Sequence, residues 1–524
     1  MHSYIIKGKC EMRKILKYLL NIFIIIILFI LILAINSANY LLNAWGEVKF
    51  ATVLYQLLSP LKGTNQEIID QYCREALYPA IAIIFVGLFL WYLWFYVFRT
   101  ISFRITGTFL GHNFSLNINS KKIQKLKILK GILGTGIFMI LCVGVVERAE
   151  EIGVFEYVNS IMRSSTIFEE EYVKPENSII EFNSKQKNLI YIYLESMEST
   201  YMDKDSGGQK DINYIPNLTQ LAEENISFSS GDKNEGLLTA INTEWTMAAI
   251  LGSTTGVPYK LPIENNSAGN YEKFLPGIVS LGDVLKDFGY QNYFMCGSPI
   301  AFGGREDFLT QHGDYTIFDY DTGLKDGLIP EGYYEFWGFE DCKLYEYAKT
   351  KLKEVVNKGE RFNFTLLTVD THHSEGYICE KCMQEYDEQY ANAISCADVQ
   401  IKNFLDWIKR QEWYEDTVIV VTGDHISMNN TFFDDVEKRT IYNCIINSET
   451  ELLGKTKNRQ ACILDMFPTT LAAMGATIEG ERLGLGTNLF SGKETLLEKM
   501  GADEFNRQIS RYSKYYDKAF IRGK

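Results

Sequence analysis

Asn188-Leu-Ile-Tyr-Ile-Tyr-Leu-Glu195-Ser196 reads as a short β-branched and aromatic strand that stops on a carboxylate. Two later runs have the same form. Phe362 to Val369 ends in Asp370-Thr-His372-His373, and Thr417 to Thr422 ends in Gly423-Asp424-His425. Nearly continuous apolar runs of this length suit strands buried on both faces of a parallel sheet. Their polar residues all fall at the carboxyl ends, the edge where open α/β sheets build sites. Glu, Asp and His gathered at one edge form a metal-site composition.

Strand-like and helix-like stretches alternate around these runs. Ile215-Pro216 opens a helix with Pro in its first turn. Ser280 caps a helix that runs to Phe288 and closes at Gly289, and Tyr290 to Met295 is the next strand. Ala391 to Trp413 is amphipathic, and Asp465 to Met474 is a further helix. This alternation predicts an α/β fold with a mostly parallel sheet covered on both faces.

The 524-residue chain carries a net charge of −14. No basic block points to nucleic acid. Leu19 to Ile35 is apolar except for Asn21, Leu77 to Phe98 is uncharged over 22 residues, and Gly131 to Val146 over 16. Spanning a bilayer takes about 17–25 residues. The first run reads either as a cleaved signal or as an anchor. Its long core and the weak small-residue site Asn36-Ser37-Ala38 favour the anchor. Gly131, Gly134 and Gly136 predict close helix approach in the third. Lys7, Lys9, Arg13, Lys14 and Lys17 precede the first span. Arg99, Arg104, Lys121, Lys122, Lys125 and Lys127 lie between the second and third, against only Lys49, Lys62 and Arg74 between the first and second. This bias predicts cytoplasmic placement for the first two groups and an extracytoplasmic chain after about residue 147.

The cysteines Cys142, Cys296 and Cys444 sit in apolar surroundings and read as packed thiols. Cys379 and Cys382 form the one close pair. Outside the cell a local disulfide between them is expected, with free thiols or half of a metal site as alternatives.

An oxygen nucleophile is sought in Asn242-Thr-Glu-Trp-Thr246-Met-Ala-Ala-Ile-Leu-Gly-Ser-Thr-Thr255-Gly256. A hydroxyl at a helix N-terminus sits in a positive field, where a metal can help it lose its proton and attack an ester. Thr246 could equally be a simple helix cap, and Thr243 is a competing nucleophile. His425 could be a structural histidine at a strand end. Glu198 and Asp370 read as supporting residues, Asp370 as one that could orient a histidine.

These residues resemble the sulfatases of the alkaline phosphatase superfamily, which place a nucleophile nine residues before a Thr-Gly pair; Thr246 stands nine before Thr255-Gly256. A Thr cannot become the formylglycine of true sulfatases. It resembles instead the membrane-anchored branch of lipoteichoic acid synthases, phosphoethanolamine transferases and phosphoglycerol transferases. Tyr-Ile-Tyr-Leu-Glu195-Ser, Glu-Trp-Thr246, Thr-Val-Asp-Thr-His372-His373 and Gly-Asp424-His425-Ile-Ser-Met-Asn-Asn-Thr are most similar to the phosphoglycerol transferase I group. The resemblance covers roughly residues 186–490. It implies an α/β/α sandwich of alkaline phosphatase type. It implies one divalent cation, Mn²⁺ first with Zn²⁺ or Mg²⁺ as alternatives, held by Glu195, Thr246, Asp424 and His425. It implies Thr246 as nucleophile, with His372 and Arg305 as ligands of the glycerol phosphate. His373 binds the leaving group or packs. The donor would be phosphatidylglycerol, and the acceptor an envelope glycan or glycolipid. Rival activities are polymerisation as in lipoteichoic acid synthases and phosphoethanolamine transfer; an inactive envelope scaffold is the non-enzyme alternative. The expected organisation is a membrane region with three transmembrane helices at 1–150, a connector at 151–185, an extracytoplasmic (extracellular or periplasmic) catalytic domain at 186–500, and a basic tail at 501–524. The tail is expected to form a solvated helix or to touch an anionic membrane surface.

Overall fold

A computed structural model describes residues 2–45, 50–58, 66–100, 103–109, 112–118, 127–182, 185–260, 273–433 and 438–524. Lys49, Lys62, Lys121, Lys122 and Lys125, counted above among the loop charges, lie outside the described residues. The chain divides into two units, Met1–Ala44 with Gln66–Phe155, and Trp45–Asn65 with Glu156–Lys524.

In the first unit, three helical segments are long and apolar enough to cross a membrane: Met12–Ala44, Ile68–Leu93 and Ile132–Glu151. Asn36 Nδ2 donates to the Ala76 carbonyl at 3.3 Å, and the Ser37 and Tyr72 hydroxyls lie 2.9 Å apart. Among the described residues, an added Cβ at Gly134 or Gly136 meets nothing within 4 Å, so the close approach expected there is not found. Gly144 has that role instead, with Ile35 Cδ1 3.1 Å from where a Cβ would stand. Between the second and third segments, Phe103–Phe109 pairs antiparallel with His112–Ile118.

The second unit is built on six strands: β1 (Asn188–Leu194), β2 (Gln291–Cys296), β3 (Thr316–Phe318), β4 (Phe362–Leu367), β5 (Thr417–Gly423) and β6 (Asn443–Ile446). Their order is β3-β2-β4-β1-β5-β6, parallel except for the antiparallel β6. β1 is central, and its side chains alternate between two cores. Leu189, Tyr191 and Tyr193 enter one, with α2 (Thr246–Thr255), α3 (Leu281–Asp287) and α7 (Met466–Ala473). Ile190, Ile192 and Leu194 enter the other, with α1 (Pro216–Glu224), α5 (Asp341–Val356) and α6 (Gln389–Ile408). This period-2 split is why β1 carries no polar residue between its ends. It is the α/β/α sandwich expected above.

Ser280 accepts from the Asp283 N–H while Asp283 accepts from the Ser280 N–H, a capping box at α3. The N-terminus of α1 is capped from a distance: Asp398 on α6 accepts from the Asn217 N–H at 3.1 Å and the Leu218 N–H at 2.7 Å. The basic tail is not a solvated helix. Phe505 and Ile509 of α8 (Ala502–Ser510), and Tyr516 and Phe520 beyond it, are buried in the first core. Tyr516 also donates to the Pro258 carbonyl at 3.0 Å. Phe505, Ile509, Tyr516 and Phe520 are buried, while Arg507, Lys514, Lys518, Arg522 and Lys524 are exposed.

Candidate active site

Register brings the first two site residues together. Leu194 on β1 is level with Gly423 on β5. The residues that follow, Glu195 and Asp424, therefore leave the sheet side by side. Ser196 then takes a left-handed conformation (φ 51°), which turns the chain so that its N–H donates to Asp424 Oδ1 at 2.8 Å. The His425 N–H donates to the same oxygen at 2.8 Å. Glu195 is held by its N–H on Thr368 Oγ1 at 2.9 Å, and the Ser196 hydroxyl donates to Glu195 Oε1 at 2.7 Å.

Thr246 is the first residue of α2, not its cap. The N-cap is Trp245, in an extended conformation with no side-chain cap bond. The Thr246 hydroxyl lies 3.3 Å from Glu195 Oε2 and 3.5 Å from His425 Nε2. The nine-residue step to Thr255 runs from the first to the last residue of the ten-residue α2. Thr255 donates to the Leu251 carbonyl at 2.6 Å, and Gly256 ends the helix at φ 66°. A Cβ on Gly256 would come within 2.7 Å of the Leu483 carbonyl, so glycine is needed there twice over. The competing Thr243 is buried and donates to the Ala240 carbonyl at 2.7 Å, which gives it a turn-forming role.

Ligand atoms of Glu195, Asp424 and His425 all lie within 4.8 Å of one another. His425 Nε2 is 3.6 Å from Glu195 Oε1 and 3.4 Å from Asp424 Oδ2. His425 Nδ1 lies 2.8 Å from the Ile426 carbonyl, so the proton belongs on Nδ1 and the Nε2 lone pair faces the carboxylates. Asp424 Oδ2 is buried with no hydrogen-bond partner among the described residues. Burial pushes the Asp424 carboxyl well above the usual range, and the neighbouring Glu195 charge adds to it. For His425, burial lowers the imidazole, but Asp424 and Glu195 outweigh it and the net shift is upward. A buried orphan oxygen, a second carboxylate and an imidazole lone pair converging on one point are the donor set of a divalent cation. The residues therefore fit the expected metal, and Thr246 Oγ1 is near enough to be a fourth donor.

His372 follows β4. Its Nδ1 is 2.8 Å from the His373 carbonyl, and its ring packs on Trp337 at 4.8 Å and on His373 at 4.9 Å. The imidazole is pushed down to about 4, chiefly by burial, with the charges of His425 and Arg305 acting the same way and the His373 carbonyl and Asp424 opposing them. Arg305 is buried at the start of α4 (Arg305–Gln311), where its guanidinium donates to the Phe302 carbonyl at 3.1 Å and to Ser298 Oγ and the Pro299 carbonyl at 3.0 Å each.

Glu198 and Asp370 are supporting residues. Glu198 pairs with Arg439 and accepts from the Ser427 N–H at 2.8 Å. Asp370 does not orient His372. Both its carboxylate oxygens are buried without a hydrogen-bond partner among the described residues. Burial raises its pKa, as does the adjacent Asp341. Sequence reasoning missed Asp341, whose carboxylate accepts from the Val369 and Asp370 N–H groups at 2.8 and 2.9 Å and so sets the start of the histidine loop. It also missed Thr368, Trp337 and Arg439. A Thr just past an apolar strand was the one available signal; the others are visible only through contacts.

The cysteine expectation needs correction. The disulfide joins Cys382 to Cys396 on α6, with Cα atoms 5.1 Å apart, and not to Cys379. Packing of α6 against the loop supplies a partner that local spacing does not reveal. Cys296 and Cys444 are buried free thiols as expected, whereas Cys142 is half-buried.

The sulfatase family model matches residues 187–476, more than half of the chain, and the protein belongs to that family. Among its relatives, phosphoglycerol transferase I of Salmonella choleraesuis (strain SC-B67) is 34% identical over 352 residues, covering 65% of this chain and 43% of the relative. Phosphoglycerol transferase I of Escherichia coli (strain K12 / MC4100 / BW2952) is 35% identical over 320 residues, covering 58% and 39%. The chain thus spans less than half the length of these relatives. Similar solved structures include the lipoteichoic acid synthase LtaP of Listeria monocytogenes (TM-score 0.43, 20% identity, 60% of this chain and 80% of that one). Another is the Streptococcus pyogenes phosphoglycerol transferase GacH in complex with sn-glycerol-1-phosphate (TM-score 0.42, 13% identity, 66% and 89%).

Proposed function

We propose that this protein transfers glycerol phosphate from phosphatidylglycerol to an envelope glycan or glycolipid, through a covalent phosphate ester on Thr246. The observation that carries this reading is the Thr246 hydroxyl at the start of α2, 3.3 Å from Glu195 and 3.5 Å from His425. The names of its relatives support the choice of glycerol phosphate.

Glu195, Asp424, His425 and the Thr246 oxygen would hold one divalent cation, Mn²⁺ by preference. When bound there, such an ion acidifies the hydroxyl and neutralises charge on phosphoryl oxygens. The Thr246 oxygen attacks phosphorus and diacylglycerol leaves, so that glycerol phosphate stays on the threonine. Arg305 and the positive end of α2 favour the phosphate anion. His372, held neutral and with its proton on Nδ1, offers the Nε2 lone pair as base for the incoming acceptor hydroxyl. His373 stacks behind it. The apolar segments of residues 1–150 would hold this unit against the outer leaflet, with the basic loops inside and the catalytic domain outside, close to a lipid donor.

The test uses the full chain in detergent with phosphatidylglycerol and Mn²⁺. Intact-protein and peptide mass spectrometry should find one glycerol phosphate on the Thr246 peptide, and none with phosphatidylethanolamine. If the Thr246→Ala protein still releases diacylglycerol from phosphatidylglycerol, the reading is wrong.

A further inference from the structure

Beyond the histidine loop, four cysteines come together. Cys342 lies in the first turn of α5, Cys379 and Cys382 in the loop after β4, and Cys396 on α6. Cys342, Cys379 and Cys396 are buried and pack as one cluster, with Cys382 against it. The sulfurs of Cys379, Cys382 and Cys396 all lie within 4.8 Å of one another, and Cys379 Sγ is 3.6 Å from Cys382 Sγ. Cys342 packs against Cys379 in the same cluster.

The surroundings direct N–H donors at three of these sulfurs, while the Cys342 thiol donates to Glu340 Oε1 at 3.6 Å. Within Cys379-Glu-Lys-Cys382 the backbone folds around its own sulfurs: the Lys381 N–H donates to Cys379 Sγ at 3.4 Å, and the Cys379 N–H to Cys382 Sγ at 3.2 Å. Gln400, buried on α6, aims its amide at Cys396 Sγ (3.3 Å) and Cys379 Sγ (3.8 Å). N–H donors directed at sulfur stabilise the anion that binds a metal. A Cys-x-x-Cys turn plus two further cysteines from separate helices is the ligand count of a closed tetrahedral site; three of the sulfurs already lie together, and Cys342, packed in the same cluster, would be the fourth.

We propose that, with its thiols reduced, this cluster binds a single Zn²⁺-class cation through Cys342, Cys379, Cys382 and Cys396, at a site separate from Glu195–Asp424–His425. The Cys382–Cys396 disulfide is the oxidised form of the same cluster. A phosphine converts the oxidised form to the reduced one: phosphorus takes the oxygen of one water to become the phosphine oxide, its two electrons break the S–S bond, and the two water protons end on sulfur. Uptake of the cation then releases thiol protons to solvent. The cation would tie the loop after His372 to α5 and α6, independently of how the proposed transfer reaction proceeds.

Sulfur ligation has its own signature. Full-length protein in detergent is reduced with a phosphine, freed of metal and titrated with Co²⁺ alone. The expected result is one equivalent giving an intense near-ultraviolet thiolate-to-cobalt charge-transfer band with tetrahedral d–d bands. The band should persist in the Asp424→Asn/His425→Ala protein and be displaced by Zn²⁺. It should vanish in Cys379→Ser/Cys382→Ser. Because the signature is read in the unsubstituted chain first, a folding failure of that variant does not remove the test. Absence of the band in reduced wild-type protein overturns the proposal. So does its loss in Asp424→Asn/His425→Ala with the cysteines intact. A protein whose non-reducing peptide map shows Cys342–Cys379 and Cys382–Cys396 both bridged, and which binds no Co²⁺ at sulfur after reduction, overturns it equally.

Discussion

The segment from Thr368 to Cys382 runs between two buried clusters that are held in different ways. At its start, Thr368 anchors Glu195 in a group of oxygen and nitrogen ligands seated on strand ends. At its end, Cys382 joins sulfurs contributed by a loop and two helices. The first group inherits its geometry from the sheet ladder, whose register places Glu195 beside Asp424 whatever the side chains do. The second has no ladder beneath it and is held by its own cross-link. A cluster of the first kind can be stripped of function with little loss of fold. One of the second kind is expected to behave the other way round.

Substitutions separate the two. Thr246→Ala should lower the proposed glycerol phosphate transfer by ~10³-fold or more while the thermal midpoint stays near wild type, because only a half-buried hydroxyl is lost. A midpoint that falls with the activity would mean that the strand-end cluster is also structural. Arg439→Ala leaves Glu198 buried without its cation and should destabilise the protein by about 3–5 kcal/mol in denaturant titrations. Cys396→Ser opens a bridge spanning 14 residues and should remove about 3 kcal/mol of stability, with activity retained below the new midpoint. If it instead abolishes transfer in folded protein, the two clusters are coupled through the histidine loop.

Cation binding at the strand ends should depend on pH. Asp424 has a raised pKa in the cation-free protein, so it is protonated on mild acidification and must shed that proton to become a ligand. Affinity for Mn²⁺ should therefore fall as pH falls, by up to about tenfold per pH unit below that pKa, and level off above it. Equilibrium binding across mildly acidic to neutral pH checks the sign. Asp398→Ala, which removes the distant cap of α1, should cost only about 1 kcal/mol and leave transfer unchanged.

The strand ends were legible in the sequence because an apolar run that stops on a carboxylate reports both the strand and its functional edge. Glu195, Asp424-His425 and Thr246 each lie within a residue or two of an element boundary, and such boundaries leave a local pattern. β3 and β6 left none, being three and four residues long. The burial of Phe505 and Ile509 in the tail was masked by Arg507 between them and by the positive charges that follow.

From its sequence alone this protein was bound to form an α/β sheet with its chemistry at one edge, since alternation and chain direction are local properties. Which residues would meet was settled only on folding. The Cys382–Cys396 pairing, the Asp341 clamp on the histidine loop, the Asp398 cap and the orphan oxygen of Asp424 all depend on side chains far apart in sequence. Their encounter depends on how the helices pack across the sheet, and no short stretch of sequence encodes that.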